Sequence, residues 1–121
     1  VTPSFIIGDF DSVTKKTLTF FRKTAEIVRV SNQDSTDLEK ALVLAKKLKA
    51  EKVFVFGALG GEVDHTIANI LSMDEHTVIR DETHDVYVVK EKLDIFGKRG
   101  DTLSIIALSA VSGLSYKEKH L

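Results

Sequence analysis

The sequence predicts an α/β protein with a parallel-sheet domain over residues 1–76 and a small antiparallel, sandwich-type β domain over residues 77–121. Short apolar runs alternate with helical patterns in the first part, whereas β-rich runs separated by turn signals fill the second. Alternating strands and helices imply right-handed crossovers and a parallel sheet. With 121 residues, 43% hydrophobic and 29% charged, the chain has the composition of an ordinary globular protein.

The first part contains three strand–helix pairs in succession. The helix predicted over residues 13–25 has Leu18 and Phe21 on its inner face. The next helix begins with a capping box, in which the Thr36 hydroxyl accepts from a backbone amide and Glu39 reaches back to the amide of Thr36. The predicted strands cover residues 5–7, 27–30 and 53–56, and the last helix covers residues 64–71.

The second part is predicted to contain four short strands and no helix. Gly97 and the run Arg99-Gly100-Asp101 supply turn signals between them. The predicted strands cover residues 77–79, 86–89, 93–96 and 102–108. So few short strands make a small segment, which we expect to pair with a second copy.

Charge and composition exclude several classes of protein. The net charge of −1 gives no long-range attraction to nucleic acid or to an anionic membrane. The sequence has no cysteine, which excludes a disulfide framework and thiolate metal sites. No apolar run reaches the roughly 18 residues that a membrane-spanning helix needs. These observations predict a cytoplasmic enzyme.

Two carboxylates follow the first predicted strand. Asp9 and Asp11 are two residues apart, so on extended backbone their side chains lie on one face and converge on one hard cation. Magnesium suits this pattern, because it takes a few carboxylates and keeps water or phosphate oxygens as its other ligands. The alternative is a solvated turn in which Asp11 or Ser12 caps the next helix.

A second acidic pair follows the second predicted strand. Asp34 and Asp37 flank the start of a helix, where they could simply cap it and interact favourably with its dipole. Carboxyl ends of parallel strands meet at one edge of a sheet, where open α/β sheets bind ligands. Two acidic turns at that edge would gather four carboxylates, and so much negative charge requires cations.

A glycine-rich loop follows the third predicted strand. Gly57, Gly60 and Gly61 permit backbone conformations and close approaches that other residues disfavour, and the helix that follows offers its amides to an anion. Its spacing matches neither the P-loop nor the dinucleotide fingerprint. The loop could equally be a plain turn, with Asp64 as an N-cap and His65 on the surface.

Together, the three segments resemble the thiamine pyrophosphokinase family. The family patterns are Gly-Asp-x-Asp-Ser, Asp-x-Thr-Asp and Gly-x-x-Gly-Gly-Arg-x-Asp-His-x-x-x-Asn, each after a strand. They match residues 8–12, 34–37 and 57–69, except at Glu62, where the family has arginine. In the second part, residues 100–104 and 113–116 look like the family's Gly-Asp-x-x-Ser and Gly-Leu-x-aromatic segments.

The resemblance implies a Rossmann-like catalytic domain and a β domain that binds thiamine and forms the contact of a homodimer. It implies transfer of pyrophosphate from ATP to thiamine, with Mg²⁺ as the cofactor. The residues carried over as metal ligands are Asp9, Asp11, Asp34 and Asp37, and those with catalytic roles are Asp11, Asp37, Asp64 and His65. Those expected to contact nucleotide or thiamine are Ser12, Thr36, Gly57, Gly60, Gly61, Asn69 and Tyr116.

The sequence departs from the family in ways that keep two other functions open. Family members begin with an additional strand–helix region, which is missing before Val1, and Glu62 reverses a charge beside the expected phosphate site. A catalytically inactive nucleotide- or thiamine-binding module is therefore one alternative. The other is a haloacid-dehalogenase-like phosphatase with Asp9 as nucleophile, which would leave residues 34–37 and 60–65 without a role.

Overall fold

The computed structural model describes residues 2–119, so the predicted domain limits at residues 1 and 121 lie outside it. Strands and helices alternate from the first strand to the fourth, and a fifth strand follows the fourth directly. The strands are β1 (Phe5–Gly8), β2 (Glu26–Arg29), β3 (Val53–Phe56), β4 (Thr77–Arg80) and β5 (Asp85–Tyr87). The helices are α1 (Lys15–Phe21), α2 (Asp37–Lys47) and α3 (Val63–Leu71). None of the helices within residues 2–119 is long and apolar enough to cross a membrane.

The first sheet is the parallel pair β1–β2. Its register places Ile6 opposite Ile27 and Gly8 opposite Arg29. The helix α1 connects the two strands, and it is shorter than the 13–25 predicted, because residues 22–24 form a turn. Leu18 and Phe21 are half-buried while the other α1 residues are exposed, as the helical spacing predicts.

Helix α2 begins with the predicted capping box. The Thr36 hydroxyl accepts from the Glu39 amide at 3.2 Å, and a Glu39 carboxylate oxygen accepts from the Thr36 amide at 2.7 Å. The helix packs against β1. Its Leu38 also packs against the core cluster formed by Ala58, Met73 and Ile79. Helix α2 therefore contacts both the first sheet and the main core.

The second sheet has the order β3–β4–β5. Strand β4 pairs in parallel with β3 and antiparallel with β5. Because β4 is central, it contains the two most buried large side chains, Val78 at 2% and Ile79 at 0% exposure. The Arg80 guanidinium closes the β4–β5 hairpin with two 2.7 Å bonds to Asp85, which also accepts from the Tyr87 hydroxyl at 2.9 Å.

The structure corrects two features of the predicted sheet. The strands form two sheets, β1–β2 and β3–β4–β5, where one continuous parallel sheet was expected. The predicted strand at residues 77–79 pairs antiparallel with β5, as expected, but as β4 it also pairs in parallel with β3, because the crossover through α3 returns it beside β3. The α/β class is therefore confirmed, with one parallel and one mixed sheet.

The antiparallel β domain is not confirmed. Residues 88–119 contain no helix or strand, and residues 89–119 are all exposed. The predicted strands at 93–96 and 102–108 are wrong in this structure, because a strand requires a hydrogen-bonded neighbour and no described residue pairs with either run. We call residues 88–119 the C-terminal segment; the division of the chain at residue 76 stays a prediction.

Candidate functional site

The turn after β1 fixes the carboxylate of Asp9. Its Oδ1 accepts from the Asp11 amide at 3.2 Å, and its Oδ2 accepts from the Gln33 side-chain amide at 3.0 Å. These bonds lower the pKa of Asp9, the Asp11 N–H contributing most and Gln33 next. Between the two aspartates Phe10 has φ 65°, in the left-handed region. The turn is therefore an Asx turn, as in the alternative, and its Asp9 also contacts Gln33 of the next acidic turn. The helix cap expected at Asp11 or Ser12 is wrong, because Thr14 is the N-cap of α1 and its hydroxyl accepts from the Thr17 amide at 3.2 Å.

The two acidic turns meet at a lysine that the sequence analysis did not single out. The Lys40 ammonium in α2 lies 3.4 Å from Asp37 Oδ1 and 4.0 Å from Asp9 Oδ2. Its side chain is only 4% exposed, whereas Asp9 is 19% and Asp37 77% exposed. A buried ammonium requires negative partners, since desolvating an unpaired charge is costly. Asp9 and Asp37 supply them.

The remaining residues of the second turn mainly build the start of α2. The Asp34 amide donates to Asn32 Oδ1 at 2.8 Å, and the Thr36 hydroxyl is engaged in the capping box. Asp34 and Asp11 are both exposed, as is Ser12. The structure therefore brings together Asp9 and Asp37 around Lys40, while Asp11 and Asp34 remain at the solvent side of the same two turns.

The glycine loop is shaped by backbone conformation and by two side chains of α3. Gly60 and Gly61 have φ +81° and +78°, which residues with a Cβ rarely adopt. The Asn69 amide donates to the Ala58 carbonyl at 3.1 Å, and the Thr66 hydroxyl donates to the Gly60 carbonyl at 3.3 Å. Asn69, which was expected to contact nucleotide, thus holds the loop itself.

At the start of α3 the N-cap is Glu62, whose side chain makes no capping bond. The expected alternative of Asp64 as N-cap is wrong, because Asp64 lies in the first turn and accepts from the His65 amide at 2.9 Å. Asp64 and His65 are exposed. Tyr116 lies in the C-terminal segment and is 77% exposed. No described contact joins these residues to the Asp9–Lys40–Asp37 cluster.

The carboxylates of the two acidic turns are suitable ligands for magnesium, but few of them lie close together. Within residues 2–119, no three Asp, Glu or His side chains lie close enough together to hold a metal ion. Asp9 and Asp37 nevertheless offer hard oxygen atoms at one place, and magnesium commonly uses one or two carboxylates together with water and substrate phosphates. The two-carboxylate arrangement therefore fits a magnesium ion that takes its remaining ligands from water or from a bound phosphate.

Sequence reasoning missed Lys40 and Gln33. Lys40 lies three residues after Asp37, a spacing that puts both side chains on one helical face. That spacing was a usable signal for the pair, although burial of the lysine depends on the packing of α2 on β1. Gln33 carries no comparable signal, because its contact with Asp9 spans 24 residues.

Comparison with known proteins identifies the family. Residues 1–88 match the model of the thiamin pyrophosphokinase catalytic domain, so the match includes all five strands and all three helices. "Thiamin pyrophosphokinase 1" of Caenorhabditis elegans is 36% identical over 77 residues, which are 59% of this chain and 30% of the relative. "Thiamine pyrophosphokinase" of Bacillus subtilis is 35% identical over 72 residues, 58% of this chain and 34% of the relative. The matched regions thus span about a third of these relatives.

Solved structures show the same fold. A protein from Lactobacillus plantarum superposes with a TM-score of 0.58 and 28% identity, over 71% of this chain and 46% of that one. A thiamin pyrophosphokinase family protein from Enterococcus faecalis superposes with a TM-score of 0.61 and 23% identity, over 69% of this chain and 45% of that one. The two acidic turns and the glycine loop follow β1, β2 and β3, all within the region matched by the family model. On these grounds, the chain belongs to the thiamin pyrophosphokinase family.

Proposed function

We propose that this chain takes part in pyrophosphoryl transfer from ATP to thiamine, which gives thiamine diphosphate and AMP. The observation that carries the proposal is the meeting of the two acidic turns, where Asp9 after β1 and Asp37 after β2 approach one buried ammonium. Such a cluster lies at the carboxyl ends of parallel strands, where α/β proteins bind phosphorylated ligands. Family membership supports the reaction class.

In this proposal the residues act mainly by positioning. Asp9 and Asp37 would hold magnesium, with Asp11 and Asp34 of the same two turns joining them when the nucleotide is bound; the metal would neutralise charge on the triphosphate. The exposed backbone of Gly57, Gly60 and Gly61 would lie along the nucleotide. Transfer of this kind depends on orienting the acceptor and stabilising charge, and little on covalent chemistry by the protein.

Asp64 and His65 are the proposed groups near the acceptor hydroxyl. Both are exposed at the start of α3, so either is accessible to a substrate. A carboxylate or an imidazole at that place would orient the thiamine alcohol or accept its proton. Ser12, Thr36 and Asn69 would support the nucleotide, with Asn69 acting through its bond to the loop carbonyl.

The proposal extends to assembly and location. The C-terminal segment exposes apolar side chains, among them Ile106 at 79% and Phe96 at 89%, which supports its burial in a homodimer together with Tyr116 and thiamine. The resemblance to the family supports that arrangement, and a cysteine-free composition fits the reducing cytoplasm.

The direct test is to incubate the chain with ATP, Mg²⁺ and thiamine, and to measure AMP and thiamine diphosphate. AMP that forms only with thiamine would support the proposal. Binding of ATP or thiamine without AMP would instead indicate the inactive binding module. A phosphoenzyme at Asp9 would indicate the phosphatase chemistry that the sequence analysis left open.

The sharpest variant is Asp11→Asn, which removes one charge while keeping the side-chain volume. We expect it to abolish measurable transfer, because a cation ligand is lost. The free energy of unfolding should change little, since Asp11 is exposed and its bond to Asp9 uses the backbone amide. Turnover equal to wild type would contradict the metal assignment. Asp94→Asn, which removes an exposed carboxylate outside every motif matched to the family, is the matched control.

A further inference from the structure

The charge arrangement around Lys40 goes beyond the roles assigned so far. Lys40 is the one charged residue among the buried residues of the described chain, where Thr77 is the other buried polar residue. Its ammonium lies between the end of β1 and the first turn of α2, within 4.0 Å of both Asp9 and Asp37. A positive charge thus already lies between the two carboxylates that would bind a cation.

Asp9 is held at this place by further bonds that do not depend on Lys40. The Asp11 amide and the Gln33 side chain donate to its two oxygens. Asp37 is largely exposed, at 77%, so water can solvate it. Loss of the ammonium would therefore leave neither carboxylate buried and unpaired, and the usual large penalty for breaking a buried ion pair should not apply.

We propose that Lys40 is a positioning residue that acts as a resident cation between Asp9 and Asp37, so that the site takes up its metal together with the nucleotide's phosphates and not as a free ion. The inference deepens the proposed function and rests on it for the identity of the nucleotide. A free dication is repelled by the ammonium, whereas a metal–triphosphate complex, which is negative overall, is attracted by it.

Two affinities should therefore change in opposite directions when the charge is removed. In Lys40→Met, which substitutes an uncharged side chain of similar length, free Mg²⁺ should bind about tenfold more tightly, because the ammonium within 4.0 Å of both carboxylates would no longer repel it. Mg–ATP should bind about fivefold more weakly, because an attractive charge is lost from the same site. A lysine with only a packing role would change both affinities in the same direction or neither.

Calorimetric titration of the full chain measures both quantities without turnover, with MgCl₂ alone in one series and Mg–ATP without thiamine in the other. Lys40→Arg keeps the charge and should resemble wild type. Lys47→Met removes an exposed lysine near the end of the same helix and should change neither affinity by more than about twofold. Thermal melting of each variant verifies that the fold is retained.

The outcomes separate this inference from the proposed function. Tighter Mg²⁺ and weaker Mg–ATP binding in Lys40→Met supports the resident cation. Unchanged or weaker Mg²⁺ binding in that variant overturns it. If wild type does not bind Mg–ATP, the proposed function fails, and the Mg²⁺ series alone still decides whether Lys40 opposes a free metal at this site.

Discussion

The β1–β2 sheet and the β3–β4–β5 sheet differ in what their residues do. The second sheet contains Val78 and Ile79, the most buried large side chains of the described residues. The first sheet buries only Gly8 among its strand residues, yet the two acidic turns follow its strands. Apolar packing is therefore concentrated in the second sheet, whereas the turns that follow the first sheet are held together by charge pairs. In the first half, the two carboxylates that approach each other do so around one buried ammonium, with few buried apolar side chains nearby.

The largest expected effect is on the packed sheet. Ile79→Ala should lower the free energy of unfolding by about 2–5 kcal/mol, because Ile79 is fully buried and its removal leaves a cavity. Ile7→Ala, the same change at a half-buried position in β1, should cost clearly less. Urea unfolding of both variants measures the difference. Equal losses would mean that the two sheets contribute equally to stability.

A smaller effect is expected where glycine conformation matters. Gly60→Ala should destabilise the fold by about 1–2 kcal/mol, because its φ of +81° disfavours any residue with a Cβ, although no atom lies within 4 Å of the added methyl group. Gly8→Ala in β1 is the control, since its φ is not positive and the nearest atoms are 3.7 Å away. Thermal unfolding should separate the two. A comparable loss at Gly8 would show that close packing also constrains the first sheet.

The smallest effect concerns pH and the hairpin of the second sheet. The Arg80 guanidinium lowers the pKa of Asp85, so the pair stabilises the fold above the pKa that Asp85 has when unfolded. That contribution is lost as pH falls through the lowered value. The gain is small, because both side chains are partly exposed, at 42% and 31%. Asp85→Asn should therefore unfold slightly more easily than wild type at pH 7, and the gap should close in acid, once Asp85 is protonated in the folded protein. A gap that persists in acid would indicate a role for shape instead of charge.

Local signals predicted local structure well. The capping box at Thr36 and Glu39 and the strand at residues 53–56 are as predicted, because each depends on a few adjacent residues. The antiparallel pairing of β4 with β5 agrees with the prediction, but its parallel pairing with β3 was missed, since that neighbour is set by the α3 crossover and not by the strand itself. The β-rich runs in the C-terminal segment were wrongly predicted to be strands, because such a run forms a strand only when another chain segment pairs with it.

In the candidate site, too, some features were predictable from the sequence and others depended on tertiary packing. Asp9 and Asp37 were predicted to converge because both follow parallel strands, and they do approach a common atom. The ammonium that joins them was not predicted, because its burial depends on how α2 packs on β1. The roles of Asp64, His65 and Tyr116 remain predictions, since all three are exposed and no described contact joins them to this cluster.

The two tyrosines give this molecule a pair of built-in optical reporters. The sequence has two tyrosines and no tryptophan, so ultraviolet emission arises from the tyrosines alone. Tyr87 donates to Asp85 within the second sheet, whereas Tyr116 is exposed in the C-terminal segment. In Tyr116→Phe the emission reports only on the hairpin, and in Tyr87→Phe only on the C-terminal segment. Ordering of that segment by a ligand or by a second copy can therefore be followed without attaching a dye.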